Sequence, residues 1–383
     1  MKKLLICCWL AVALCACHSH DEKESETVYD ETIIIYMPWT ENLTTDLQKN
    51  VSDMKQAITT AGGTGSKRII VFFAENESKA ALYEIKYERG ACRNDTLQRY
   101  TFPETNYTTA EGLASILTNV KALANTPYYS MIIGCHGTGW MPVGGRLKAN
   151  RRHSFGTGSG GNTAYQTEIA TLAAAIRQAD MPMEFILFDD CYMAGVEVAY
   201  ELHEATHYLI ASTCEMMDKG IPYDLCGTAL LSHDYKAACD NFYNFYSNYS
   251  YPYATLSVID CSKLDEMASM MRHINATYEL DLSKINQIQI LDGCSSPIFF
   301  DMGSYIEQLL KDHNASLYQE LTMLLKEVVP TTVHTENYIS FLLNKSGSIY
   351  PINTYSGITI SDPSTNEEAI ISKTKTRWWK ATH

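Results

Sequence analysis

The sequence predicts an α/β protein: a mostly parallel sheet flanked by helices, with a helical C-terminal extension carrying short strands. Three observations lead there. Phe185–Phe188 is an unbroken apolar run, as expected of a strand buried on both faces, and it ends in Asp189-Asp190-Cys191 before an Ala/Val/Glu-rich segment. Ser130–Gly134 has the same shape and ends in Cys135-His136-Gly137. From Thr32 to Thr213 strand-like runs alternate with helical stretches, the pattern of parallel strands joined by crossover helices.

Taken in order, Thr32–Met37 is a β-branched run and the first strand, Pro38–Thr45 turns the chain, and Leu47–Ala61 reads as a helix. Arg68–Phe73 is the second buried strand. Ala80–Tyr87 and Thr96–Phe102 alternate apolar and polar residues, as a half-exposed antiparallel pair does. Thr108-Thr109-Ala110-Glu111 is an N-cap and capping-box signature for a helix running to about Ala124. After the strand before His136, Trp140–Asn162 is Gly-rich and basic with little periodicity, hence a long exposed loop. Thr163–Asp180 reads as an amphipathic helix, Met193–Glu204 as another, and Tyr208–Thr213 as a buried strand. Beyond Asp234 the texture turns to Tyr-, Asn- and Met-rich helical stretches, closing in short strands such as Ser356–Ile360. Asn241–Tyr253 reads as a helix surface, with a groove lining as the alternative. The expected divisions are 1–16, 17–30, 31–234 and 235–383.

The chain has 383 residues, of which 46% are hydrophobic, enough for a sizeable core. A formal net charge of −14 argues against nucleic-acid binding, which needs a basic face, and is compatible with a basic peptide substrate. Lys2 and Lys3 precede the apolar run Leu4–Leu14, too short for a membrane-spanning helix, so residues 1–16 read as a targeting segment. The run closes in Leu14-Cys15-Ala16-Cys17, which looks like a bacterial lipobox, with Cys17 the lipidated residue and the means of membrane attachment. Residues 17–30 form an acidic, solvated tether, a composition that points to export to the outer membrane of the cell envelope. Of the 12 cysteines, those at 92, 135, 191, 214, 226, 239, 261 and 294 follow the tether without a tight pairing pattern. No CxxC, HExxH, GxGxxG or Walker pattern occurs, and no metal or cofactor is expected on that ground.

The chemistry-bearing residues are Cys191 and His136. A cysteine attacks as thiolate and needs a base or a positive environment beside it. A histidine framed by glycines at one strand end and a cysteine at another make that pair. Gly134 and Gly137 give the backbone freedom to turn and to approach a ligand closely. The Gly137 and Cys191 amides are candidate donors to a developing oxyanion. Side chains two apart on a strand share a face, so Asp189 lies beside Cys191 while Asp190 points away.

The His136-Gly137-Thr138-Gly139 run, with the histidine about fifty residues before Asp189-Asp190-Cys191, resembles the clostripain family of cysteine peptidases, relatives of the caspases, legumains and gingipains. The resemblance runs from about Thr32 to Tyr223, takes in Ser212-x-x-Glu215, and weakens towards the C-terminus. Two features depart from the family pattern: Asp190 stands where alanine is usual, and Pro38–Asn42 is an unusual exit from the first strand. The resemblance implies a caspase-like sheet and a Cys191–His136 dyad needing no third orienting residue. It also implies a pocket for a substrate Arg or Lys at P1, the residue before the scissile bond, made by Asp189 with Asp218 and with Glu215 behind. Calcium enters through the resemblance alone. It further implies maturation by self-cleavage in the 143–162 loop, where Arg146, Lys148, Arg151 and Arg152 are the candidate sites and Lys148 the first. Asp190 makes a non-basic P1 preference the alternative within enzymes. A catalytically silent surface lipoprotein binding peptide or glycan is the alternative outside them.

Overall fold

The computed structural model describes residues 29–102, 106–143, 155–156, 166–344 and 346–383. Nine strands form one sheet. In chain order they are β1 (Glu31–Met37), β2 (Lys67–Asn76), β3 (Lys79–Glu88), β4 (Ala91–Thr101), β5 (Tyr128–Gly134), β8 (Met183–Asp189), β9 (Thr206–Ala211), β10 (Thr255–Asp260) and β12 (Thr331–His334). Their spatial order is β12-β10-β9-β8-β5-β1-β2-β3-β4. The strands from β9 through β8, β5 and β1 to β2 are mutually parallel, and antiparallel strands complete both edges. The sheet therefore runs through position 234, because β10 and β12 belong to it. Three two-stranded pairs stand apart: β6 (Phe155–Gly156) with β7 (Gln166–Thr167), β11 (Phe300–Asp301) with β15 (Thr359–Ile360), and β13 (Asn337–Ser340) with β14 (Ser348–Pro351).

Period-two alternation splits the core into two layers. Ile34 and Tyr36 of β1, with Ile186 and Phe188 of β8, face one layer; Ile33, Ile35 and Met37, with Phe185 and Leu187, face the other. Helices α2 (Ala110–Leu123), α3 (Ile169–Ala179), α4 (Val196–Leu202) and α7 (Leu264–Asn275) cover the first layer. Helices α1 (Thr44–Ala61), α5 (Tyr223–Leu231) and α6 (Tyr235–Ser247) cover the second. The C-terminal part adds α8 (Met302–Leu310), α9 (Ala315–Val328), α10 (Glu367–Lys373) and α11 (Arg377–Thr382). Trp378 of α11 is fully buried, edge-on to Tyr200 of α4 at 5.6 Å between ring centres. No helix among the described residues is long and apolar enough to cross a membrane.

Several boundaries differ from the sequence reading. The cap of α2 is Thr109, whose hydroxyl accepts from the Gly112 amide, one residue later than a capping box on Thr108 requires. Helix α3 begins at Ile169, not Thr163, because Gln166 and Thr167 are paired with β6. Helix α4 begins at Val196, not Met193: Tyr192 is left-handed (φ 61°) and Gly195 is extended and bridged to Thr359. Residues 192–195 are a turn, and that turn shapes the site.

Candidate active site

The parallel register carries Cys191 and His136 to one rim. Gly134 of β5 pairs with Asp189 of β8, and two residues beyond each lie His136 and Cys191. Both line a single cleft of about 460 Å³ at the carboxyl ends of the central strands, where open α/β sheets place their sites.

Cys191 is half-buried at the start of the turn, and its geometry is held by the residue after it. Left-handed backbone at a bulky residue costs about 1–2 kcal/mol, so Tyr192 stays there only because its surroundings hold it. Its amide donates to the Cys214 carbonyl (3.0 Å), its hydroxyl to Glu215 Oε1 (2.9 Å), and its ring stacks on Phe299. The Met216 amide donates to Cys191 Sγ at 3.2 Å, and the thiol in turn faces the Met216 carbonyl at 3.7 Å. His136, also half-buried, is hydrogen-bonded through Nε2 to Asn42 Oδ1 at 2.9 Å.

Gly137 packs against the Cys191 backbone. A Cβ there would lie 2.5 Å from Asp190 Cβ and 2.7 Å from the Cys191 carbonyl oxygen, so only glycine fits. The glycine with left-handed backbone in this run is Gly139 (φ 70°), so the turn expected at Gly134 and Gly137 is made there.

The acids occupy distinct positions. Asp189 is buried on the cleft floor; Oδ1 accepts from the Ile221 amide (2.8 Å) and Oδ2 from Asn50 Nδ2 (3.1 Å). Burial pushes its carboxyl up to about 6, against the pull of those two donors. Asp190 is buried against Cys135 at the edge of the same cleft: Oδ1 accepts from the Cys135 amide (2.8 Å) and Oδ2 from Cys135 Sγ (3.4 Å). Burial first, and the neighbouring Asp189 second, push it up to about 8. Asp218 is exposed at the rim. Glu215 reaches the cleft wall, but its Oε1 takes Tyr192 Oη, Ser340 Oγ (2.6 Å) and the Phe341 amide (2.9 Å). It ties the β13–β14 hairpin to the turn after Cys191. Cys135 is buried beneath the rim, and Cys214 packs with Leu291, Tyr338 and Ile352 away from the cleft. Cys17, Arg146, Lys148, Arg151 and Arg152 lie outside the described residues. Among the described residues no group of three or more His, Cys, Asp or Glu is placed to hold a metal ion.

Two groups of lining residues were missed from sequence, and a third was expected only as the alternative. Asn42, Asp46 and Asn50 line the cleft from the β1–α1 connection and the first turns of α1. Their spacing of four puts them on one helix face, a polar stripe beside buried Leu47, Val51 and Met54, and that spacing was a readable signal. Burial, and Asp218 across the cleft, both raise the Asp46 carboxyl. Tyr249 and Tyr251 line the cleft just after α6 ends, so the tyrosine-rich stretch divides between a helix surface and a groove wall. Phe341 arrives from the β13–β14 connection with no sequence signal.

A nine-stranded, mostly parallel sheet with cysteine and histidine at adjoining strand ends is the architecture of the caspase-like cysteine peptidases. The chain belongs to the clostripain family, whose model matches residues 35–372, and it is a cysteine protease of that family. Among solved structures it is similar to a secreted C11 cysteine protease from Bacteroides thetaiotaomicron, "iotapain", at 42% identity over 93% of this chain and 99% of that one (TM-score 0.85). It is also similar to a clostripain from Bacteroides thetaiotaomicron ATCC 29148 in complex with the peptide inhibitor BTN-VLTK-AOMK, at 46% identity over 60% of this chain and 99% of that one (TM-score 0.56). An inactive zymogen C11 protease from Parabacteroides distasonis, 23% identical over 93% of this chain and 99% of that one (TM-score 0.77), shares the fold. No curated protein matches the chain.

Proposed function

We propose that the protein is an endopeptidase that cleaves after Arg or Lys with a Cys191–His136 dyad. The observation that carries this reading is a single cleft lined by Cys191, His136 and the carboxylates of Asp46, Asp189 and Asp218. A side chain two residues from the nucleophile on a strand end is placed for the P1 residue, and a buried carboxylate favours a cation there. The substrate's cation takes the place of the missing counter-charge, and Arg gains more through a forked contact. The inhibitor bound by the 46%-identical clostripain has a peptide written VLTK, ending in lysine, and supports the same preference.

In the proposed reaction the Cys191 thiolate attacks the scissile carbonyl carbon and the carbonyl oxygen takes the negative charge. The Gly137 and Cys191 amides stabilise that oxyanion, a contribution of about 3–4 kcal/mol per well-aimed donor. The tetrahedral adduct collapses, the C–N bond breaks, and His136 passes its proton to the leaving amine. Water, losing a proton to His136, then hydrolyses the thioester and regenerates the thiol.

Two further parts of the reading concern residues outside the described segments. Cleavage after Arg146, Lys148, Arg151 or Arg152, Lys148 first, activates the chain; a wild-type chain that stays whole on a denaturing gel beside its Cys191→Ala form counts against it. Lipidation of Cys17 anchors the protein to the outer membrane, and labelling with an alkyne fatty acid, lost in Cys17→Ala, tests that. The central test is a panel of fluorogenic peptides differing at P1. Turnover confined to Arg and Lys and absent in Cys191→Ala is expected; equal turnover of neutral P1 peptides overturns the specificity, and turnover by Cys191→Ala overturns the dyad.

A further inference from the structure

The short helical turn Glu41–Leu43, immediately after β1, brings Asn42 Oδ1 to 2.9 Å from His136 Nε2 across 94 residues of sequence. We propose that Asn42 is a positioning residue: it accepts the Nε2 proton of His136, fixes the ring's tautomer and orientation, and so makes Nδ1 the basic nitrogen. The inference rests on the dyad reading above and adds a third member to it.

A neutral imidazole carries one proton, and a fixed acceptor at one nitrogen decides which nitrogen that is. An amide oxygen is an acceptor, so the proton sits on Nε2 and the lone pair on Nδ1. The same bond survives when the ring is doubly protonated, because Nε2–H remains the donor. Asn42 therefore holds the ring through both halves of the reaction, as base and as acid.

The choice of amide over carboxylate also has a physical reason. The cleft already carries Asp46, Asp189 and Asp218. A further anion on the histidine would hold the imidazolium more tightly and oppose release of its proton to the leaving amine. A neutral acceptor orients without that charge.

The placement is built into one short segment. Asn42 reaches the histidine, Asp46 lines the cleft, and Asn50 donates to the Asp189 carboxylate, at a spacing of four that runs from the turn Glu41–Leu43 into α1. Leu47, Val51, Met54 and Ile58 anchor the helix in the core. Lys219 Nζ bonds Asp53 Oδ2 at 2.8 Å and ties the loop after β9 to the same helix. One rigid element thus sets the base and the pocket floor together.

The test measures kcat and KM for Asn42→Ala, Asn42→Asp and Asn42→Gln, with the pH profile of Cys191 alkylation by iodoacetamide as a readout that needs no substrate. Asn42→Ala is expected to lower kcat about 10- to 100-fold with KM nearly unchanged, below the loss from removing an acid/base outright. It also shifts the alkylation profile. Asn42→Asp is expected to keep the orientation and move the alkaline limb of the profile up by about one pH unit, as an added anion does. An Asn42→Ala enzyme within twofold of wild type in kcat, with an unshifted alkylation profile, overturns the proposal. So does a loss in Asn42→Asp equal to that in Asn42→Ala with no shift of the limb. Activity surviving in His136→Ala or Cys191→Ala removes the dyad itself, a different result from failure at Asn42.

Discussion

Asn50 of helix α1 donates its side-chain amide to Asp189 Oδ2 at 3.1 Å, joining residues 139 apart in sequence on the floor of the cleft. The bond and the Ile221 amide favour the ionised carboxylate, while burial favours the neutral acid and leaves Asp189 titrating at about 6. Below that pH the floor is uncharged, and the attraction for a cation is left to Asp46 and Asp218 nearer the rim. The ratio of kcat/KM for an Arg peptide to that for its neutral-P1 counterpart should fall as pH drops through 6, and Asp189→Asn should abolish the dependence. A ratio flat from pH 5 to pH 8 removes Asp189 from the pocket.

Asp46 and Asp218 face the same cleft from opposite walls. Both are nearer solvent than Asp189, so each contributes on the scale of a screened or half-buried ion pair. Asp46→Asn and Asp218→Asn should each raise KM for Arg and Lys peptides by about two- to tenfold and leave kcat within twofold. Measured at low and at high salt, the effect should shrink at high salt. A fall in kcat with KM unchanged would assign them to something other than binding.

Two glycines are tied to the site by space. Gly137→Ala places a methyl 2.7 Å from the Cys191 carbonyl, so the Gly137 and Cys191 amides proposed as oxyanion donors must move; a loss of about 10²-fold or more in kcat is expected. Gly220 has φ 61°, and a Cβ there would meet Asp189 Oδ1 at 2.4 Å. Gly220→Ala should therefore weaken selection of basic P1 more than it weakens turnover of neutral P1. Thermal melts of both variants separate these effects from unfolding.

Asp190 sets a stability dependence of defined sign. Its folded-state value, about 8, lies above the ordinary carboxylate value near 4, so the native state holds a proton that the unfolded chain has lost. That contribution is complete below pH 4, declines as pH rises, and is gone above about 8. Asp190→Asn keeps an oxygen for the Cys135 amide and does not titrate. Its melting temperature should gain on wild type between pH 5 and pH 8; parallel curves for the two proteins would count against the assignment.

Trp378 tests the anchoring of the C-terminal helix. It is fully buried against Tyr200, and Trp378→Ala should cost about 3–5 kcal/mol in urea unfolding. A loss below 1 kcal/mol would mean that α11 contributes little to the folded domain.

The parts of the fold that were legible are those governed by local pattern. The runs Thr32–Met37, Arg68–Phe73, Ser130–Gly134 and Phe185–Phe188 are strands in the central sheet, because a segment apolar on both sides has nowhere else to lie. Ala80–Tyr87 and Thr96–Phe102 alternate and fall in the antiparallel edge pair β3 and β4. Helix starts were less legible. Tertiary demands at Tyr192 and at Gln166 overrode propensity, and α4 and α3 begin late.

Sequence by itself determined the class of fold, the strand ends and the family, since each is written in contiguous residues, and it singled out Cys191 and His136 at those ends as the candidate pair. Only the tertiary structure decided which side chains surround those residues. Asn42 and Asn50 come from the start of α1 and the turn before it, Tyr249 from the segment after α6 and Phe341 from the β13–β14 connection, while Glu215 is engaged with that hairpin. The physical reason is the range of the forces involved. Hydrophobic periodicity acts over a few residues and leaves its mark locally, whereas a hydrogen bond between residues 94 or 139 positions apart exists only once the sheet register has closed the distance.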